Sequence, residues 1–250
     1  MMQQRTGGFN LMPVVVKNLL IINGLFFLAT ISLGTAFRVD LISLLGLHMP
    51  GSPSFEPYQM VTHMFMHANF AHIFFNMFAL WMFGTAIENL MGSKRFLTYY
   101  LITGFGAAFL HLGVSYLEAL SLRSELLAAG YTPEDLRHFI ETGSYNVLSG
   151  VSESTLVSYL TKYFIPTVGA SGAVFGILLA FGMFFPNSYI YLFMAIPIKA
   201  KYFVIGFGAL ELISGLTGRT GNIAHFAHLG GMIFGYLLIR YWRSRRDILY

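Results

Sequence analysis

The chain has 250 residues, of which 56% are hydrophobic and only 10% charged, with 25 Phe, 14 Tyr and no cysteine. Soluble domains carry roughly a quarter charged residues, so this balance excludes an ordinary globular enzyme and predicts an all-α polytopic membrane protein. The lack of cysteine excludes disulfides, thiol catalysis and Cys-bound metal, and the net charge of +4 is small enough that no nucleic-acid partner is called for.

Six spans of about 20 residues each use nearly the whole chain, so residues 1–250 read as a single membrane domain. Residues 1–13 form a short polar tail with no cleavage site of a secretory leader. A first span covers 16–37. Residues 38–59 hold Pro50, Gly51, Pro53 and Pro57, too many breakers for a regular helix to cross lipid. The second span is expected at 60–86, the third at 95–116, the fourth at 167–185, the fifth at 200–217 and the sixth at 222–242. Residues 117–162 differ from the rest, holding Glu118, Glu125, Glu134, Asp135, Glu141 and Glu153 of the 11 acids. They read as short amphipathic helices in a water-facing insertion. Thr132-Pro133-Glu134-Asp135 is its clearest helix start, with a threonine cap, proline at the first position and acids in the first turn.

Orientation follows from the basic residues. With six spans both termini share a side, and Arg5, Lys17, Lys94, Arg95, Lys199, Lys201, Arg240, Arg243, Arg245 and Arg246 fall on it, out of 15 Lys and Arg in all. Basic loops stay cytoplasmic, so both termini are expected in the cytoplasm and the acidic insertion outside. Spans two, four and six then run in the same direction. His72 and Asn76 in the second, Ser171 in the fourth and His228 in the sixth converge on one layer below the outer surface.

Those residues suit acyl transfer. A serine becomes a nucleophile when a neutral imidazole within hydrogen-bond reach takes its proton. Gly172 and Gly176 on one span, and Gly231 and Gly235 on another, supply the small residues four apart that let helices approach closely in lipid. No acid lies near His228 in sequence, and spans two, four and six offer only Glu88 at the inner end, so a Ser–His dyad is the economical reading. His72 and Asn76, four apart on one face, can donate to a developing oxyanion. The bland alternatives are that Ser171 is packing glue and that His228 is a satisfied buried histidine. His63 and His67 also stand four apart, as in His-Glu-x-x-His, but Met64 occupies the glutamate position, which removes the general base of a metalloprotease; bracing of the preceding loop is the better reading. A haem held between His67 or His72 and His225 or His228 is a further use of the same histidines. Nothing else points to a cofactor, so no metal and no cofactor are expected.

As a set, these motifs resemble the rhomboid intramembrane serine proteases. The histidine-rich second span with His63, His67, His72 and Asn76, the Gly-x-Ser-Gly of Gly169 to Gly172, and the Ala-His-x-x-Gly-x-x-x-Gly of Ala227, His228, Gly231 and Gly235 come in the family's order. The resemblance implies a six-helix rhomboid-like bundle and a serine endopeptidase with Ser171 as nucleophile and His228 as base. It also implies an oxyanion hole of His72, Asn76 and the Ser171 N–H. Phe175 is expected to stack on the histidine, Phe75 to line a substrate gate, and the loop 216–222 to cap the site. The implied partners are single-pass transmembrane proteins and the lipid bilayer, and the implied setting is a bacterial inner membrane. Two departures stand out: Tyr58-Gln59 replaces the family's Trp followed by Arg or Gln, and the connection between spans three and four is long, with an unassigned partner. A catalytically inactive rhomboid-like protein that binds membrane clients is the alternative, and it would lack the serine or histidine kept here. A transporter would be expected to show inverted repeats, which the sequence lacks.

Overall fold

In the computed structural model, residues 9–148, 150, 152–192, 195–217 and 225–245 are described. The chain is helical almost throughout. Eleven helices are found among these residues: α1 (Val14–Phe37), α2 (Leu41–Leu45), α3 (Gln59–Thr62), α4 (Phe70–Ala79), α5 (Thr85–Met91), α6 (Ser93–Ala128), α7 (Pro133–Thr142), α8 (Glu153–Phe164), α9 (Ser171–Phe184), α10 (Ala200–Thr217) and α11 (His225–Ser244). A π-turn at Leu80–Gly84 fuses α4 to α5. Among the described residues, four helices are long and apolar enough to cross a membrane: Val14–Phe37, Phe70–Met91 (α4 to α5), Ser93–Ala128 and Ala200–Thr217. Between them lies the shorter apolar α9, with the 20-residue α11 against it.

The centre is a three-helix packing of α6, α9 and α11, built on glycine. A β-carbon on Gly231 would overlap the Gly172 carbonyl oxygen, and one on Gly172 would overlap the Ala107 methyl. On Gly230 it would lie 2.8 Å from the Ala107 Cα, and on Gly176 2.6 Å from Thr103. Helix backbones can come this close only where side chains are missing. Tyr99, fully buried, donates its hydroxyl to the Gly176 carbonyl at 2.7 Å, so a polar tie accompanies the close packing. The outer helices are different. On α10, Ile205, Leu210, Ile213 and Leu216 are exposed, an apolar face suited to lipid.

At the other end of the bundle, Glu88 is 2% exposed. Its carboxylate accepts from the N–H groups of Val15 and Val16 at 3.0 and 2.8 Å and from the Ser93 hydroxyl at 2.7 Å. It therefore caps the first turn of α1, whose N–H groups lack intrahelical partners.

Three differences from the sequence reading bear on the architecture. The second span starts at Phe70, because Asn69 caps α4 by accepting from the His72 N–H at 2.9 Å; His63 and His67 lie before it. The third helix runs on to Ala128 instead of ending near 116, since Leu117 to Ala128 are good helix formers without Gly or Pro and the stop comes only at Gly130. The insertion thus begins as the continuation of a span. Its helices share their own core of Leu126, Tyr131, Leu136, Phe139, Leu156 and Tyr159. Helix α7 starts at the expected Thr132 cap, which forms a capping box with Asp135. Finally, residues 186–199, between the fourth and fifth expected spans, contain an antiparallel hairpin, Tyr189–Leu192 (β1) with Ile196–Lys199 (β2). Aromatic and β-branched residues favour that pairing.

The first loop is held from within. Gln59, 1% exposed, accepts from the N–H groups of His48 and Glu56 and donates to the carbonyls of Leu44 and Ser54. Tyr58 reaches the Leu44 carbonyl with its hydroxyl at 3.3 Å. The Tyr58-Gln59 pair therefore anchors this loop to itself.

Candidate active site

Ser171 is the first residue of α9. The preceding segment is pinned on two sides: Leu47 and Thr167 exchange both backbone hydrogen bonds, at 2.9 and 2.8 Å, and the Gly169 N–H donates to the His63 carbonyl at 2.9 Å. Gly169 has φ of 125°, a backbone conformation that L side chains rarely adopt. A β-carbon there would also lie 2.7 Å from the His72 Nε2 and 3.7 Å from the Ser171 Oγ. Glycine is thus needed twice, for the turn and to leave room for His72 beside the serine.

His228 lies in the first turn of α11. Its Nε2 stands 2.9 Å from the Ser171 Oγ, within reach for proton transfer. The Phe175 ring lies parallel to the imidazole, centroids 4.1 Å apart and planes 2° apart, and Phe207 stacks on Phe175 in turn at 5.4 Å. The glycine contacts between α9 and α11 set this meeting, since Gly172 and Gly231 follow directly on the serine and the histidine turn.

Of the other residues singled out by sequence, Asn76 is buried on α4 and donates its Nδ2–H to the His72 carbonyl at 3.1 Å. His72 meets His67 edge-on at 5.0 Å. The first N–H groups of α9, Ser171 among them, have no intrahelical acceptor and so are available as donors. Gly235 packs on Tyr99, away from the serine. Phe75 is 67% exposed and meets Phe74 at 5.4 Å, on the outer face of α4. Residues 218–222 of the expected cap loop lie outside the described residues.

The fifth span supplies a residue that sequence reasoning missed. Glu211 on α10 has its Oε2 2.6 Å from the Nδ1 of His225 and 3.0 Å from the Nδ1 of His228. Its side chain is 12% exposed. Glu211 lies on the fifth span, outside spans two, four and six; a glutamate inside an apolar span is itself an expensive feature that marks a site. The ligating atoms of Glu211, His225 and His228 all lie within 4.8 Å of one another, and a His₂Glu set is of a kind that binds zinc. In this arrangement, though, His225 Nδ1 hydrogen-bonds the carboxylate oxygen at 2.6 Å and His228 Nδ1 lies 3.0 Å from the same oxygen, so proton sharing is the alternative to a metal.

A model of the Rhomboid domain matches residues 54–133 and 108–245, more than half of the sequence. The chain belongs to the Rhomboid family. This rhomboid is 29% identical over 188 residues to the rhomboid protease AarA of Providencia stuartii, covering 70% of this chain and 52% of AarA. It is 26% identical over 185 residues to the rhomboid protease GluP of Bacillus subtilis (72% and 25%). To the mitochondrial rhomboid protein 1 of Saccharomyces cerevisiae it is 26% identical over 174 residues (69% and 38%). The chain thus spans about half or less of the length of these relatives. As a rhomboid it is an integral membrane protein, in keeping with its apolar helices.

Proposed function

We propose that this rhomboid is an intramembrane serine endopeptidase. The observation that carries the reading is the 2.9 Å approach of the Ser171 Oγ to the His228 Nε2, at the end of a helix whose free N–H groups face the same place. In the proposed reaction, the Ser171 Oγ–H proton passes to the His228 Nε2 as Oγ bonds the scissile carbonyl carbon. The oxyanion is stabilised by His72, Asn76 and the Ser171 N–H, a kind of stabilisation worth a few kcal/mol per donor. The proton then goes from Nε2 to the leaving amine nitrogen, and water repeats the sequence on the acyl-enzyme.

The proposed substrates are single-pass membrane proteins cut in or near their transmembrane segments. A helical substrate must unwind to offer its peptide bond, and Gly or Pro in it lowers that cost. The proposed setting is a bacterial inner membrane with both termini cytoplasmic, like the sources of the Providencia and Bacillus relatives. Fractionation of the source cells tests it, and recovery in mitochondria would place this chain with the yeast relative instead.

Labelling of detergent-solubilised protein with a fluorophosphonate tests the chemistry. The wild type is expected to label and Ser171→Ala and His228→Ala are not. Folded wild type that stays unlabelled would favour a client-binding protein without protease activity.

A further inference from the structure

The proposed dyad has a third member. We propose that Glu211 is a positioning residue for His228, and that His225 holds Glu211 in place. This rests on the serine-protease reading above. For Nε2 to accept the serine proton, a neutral His228 must carry its own proton on Nδ1, and something must select that tautomer. Glu211 Oε2 lies 3.0 Å from that Nδ1. The Nδ1–H is not yet lined up on the oxygen, and tightening of such bonds on substrate binding is ordinary. An in-plane tilt of the imidazole supplies the alignment, and the flat Phe175 face guides that movement.

The placement of Glu211 is built into both helices. Gly208, Glu211 and Gly215 lie on one face of α10, at the three- and four-residue spacing of a helical stripe. A β-carbon on Gly208 would be 3.2 Å from the Met232 methyl, and one on Gly215 would be 3.1 Å from the Phe226 ring and 3.4 Å from the His225 Cβ. The two glycines bring α10 close to α11 on either side of the carboxylate. On α11, His225 and His228 are three apart and turn their Nδ1 atoms to the same oxygen. His225, at 2.6 Å, gives the largely enclosed carboxylate a hydrogen-bond donor, which a charge withdrawn from water requires.

The role follows from charge. When Nε2 takes the serine proton, His228 becomes a cation in an apolar site, and an ionised carboxylate at Nδ1 offsets it without itself taking the proton. A plain staple between α10 and α11 would need only the His225 contact; the approach to the base itself is what the catalytic role adds.

The test compares fluorophosphonate labelling rates, and kcat and KM on a transmembrane substrate, for wild type, Glu211→Gln and Glu211→Asp. The glutamine amide can turn N–H toward Nδ1 and favour the wrong tautomer. Glu211→Gln is therefore expected to lower labelling and kcat by about 10- to 10,000-fold with KM unchanged, and Glu211→Asp to recover part of the loss. Labelling of Glu211→Gln at the wild-type rate overturns the proposal and leaves the serine-protease reading intact. Absence of labelling in the wild type removes both. If the glutamine variant does not fold, nitrogen-15 NMR of histidine-labelled wild type decides. A His228 resonance protonated at Nδ1, assigned by its loss in His228→Ala, supports the role, and protonation at Nε2 overturns it.

Discussion

The Phe175 ring lies flat on the His228 imidazole, 4.1 Å away and within 2° of parallel. The contact fixes the plane in which the proposed base can turn, leaving rotation within that plane free. Stacked aromatic pairs are worth about 0.5–1.5 kcal/mol beyond their buried area. Phe175→Leu keeps the bulk and loses the flat face, so kcat is expected to fall roughly 2- to 12-fold at constant KM. Steady-state cleavage of a fluorescent transmembrane substrate measures it, and an unchanged kcat would show that the ring serves packing alone.

Asn76 offers one donor of the proposed oxyanion hole. Asn76→Ala is expected to lower kcat by about 10- to 1,000-fold, with fluorophosphonate labelling slowed in parallel. A variant that turns over like the wild type would take Asn76 out of the site and leave it as a buried tie to the His72 carbonyl.

The glycine contacts give opposite expectations at two positions. Gly231→Ala puts a methyl onto the Gly172 carbonyl. Overpacking of this kind costs about 1–3 kcal/mol or more, and here it also drives Ser171 and His228 apart. Thermal stability and labelling should fall together. At Gly206 a β-carbon meets nothing within 4 Å, so Gly206→Ala should leave both within error or raise stability slightly. Equal effects at the two sites would contradict the close-packed interface.

Chelation discriminates between shared protons and a metal at Glu211, His225 and His228. EDTA dialysis is expected to leave turnover unchanged. Loss of activity that returns on adding zinc would show that the three residues hold an ion.

In the insertion, Asp135 accepts from the Thr132 N–H and hydroxyl, each at 2.8 Å, and these bonds hold its carboxyl below the ordinary value of 3.8. A carboxylate depressed in the folded state stabilises it above the unfolded pKa and loses that contribution as pH falls through the folded one. The start of α7 should therefore begin to fray only as pH drops below about 4. Hydrogen exchange of residues 133–137 against pH reads this directly; protection that holds constant down to pH 2 would mean that the cap contributes nothing.

Much of this was legible in sequence because it is local. Gly-x-Ser-Gly and Ala-His-x-x-Gly-x-x-x-Gly each put the proposed catalytic residue next to the glycines that bring its helix close, so one pattern holds both the candidate residue and the approach. Glu211 was not legible in that way. It sits 14 residues before His225, on a helix of different direction, and it faces inward only because Gly208 and Gly215 turn that stripe toward α11. The hairpin of residues 189–199 was missed for another reason: in a strongly apolar chain Tyr189-Ile190-Tyr191-Leu192 differs little from the helices around it, and short apolar runs do not distinguish strand from helix. The length of α6 was missed because the acids after 117 read as the end of a span, whereas the helix continues past them to Ala128.

Helix α10 is the least enclosed of the four long apolar helices, with only 11% of its residues buried, and it is the one that carries Glu211. A sideways swing of α10 into the bilayer would take the carboxylate away from His228, whereas Ser171 and His228 are held together by the close glycine contacts of α9 and α11. An open flank and a fully supported base are then mutually exclusive. On the proposed mechanism, a posture that opened this flank to a peptide would be a different one from the posture that cuts it.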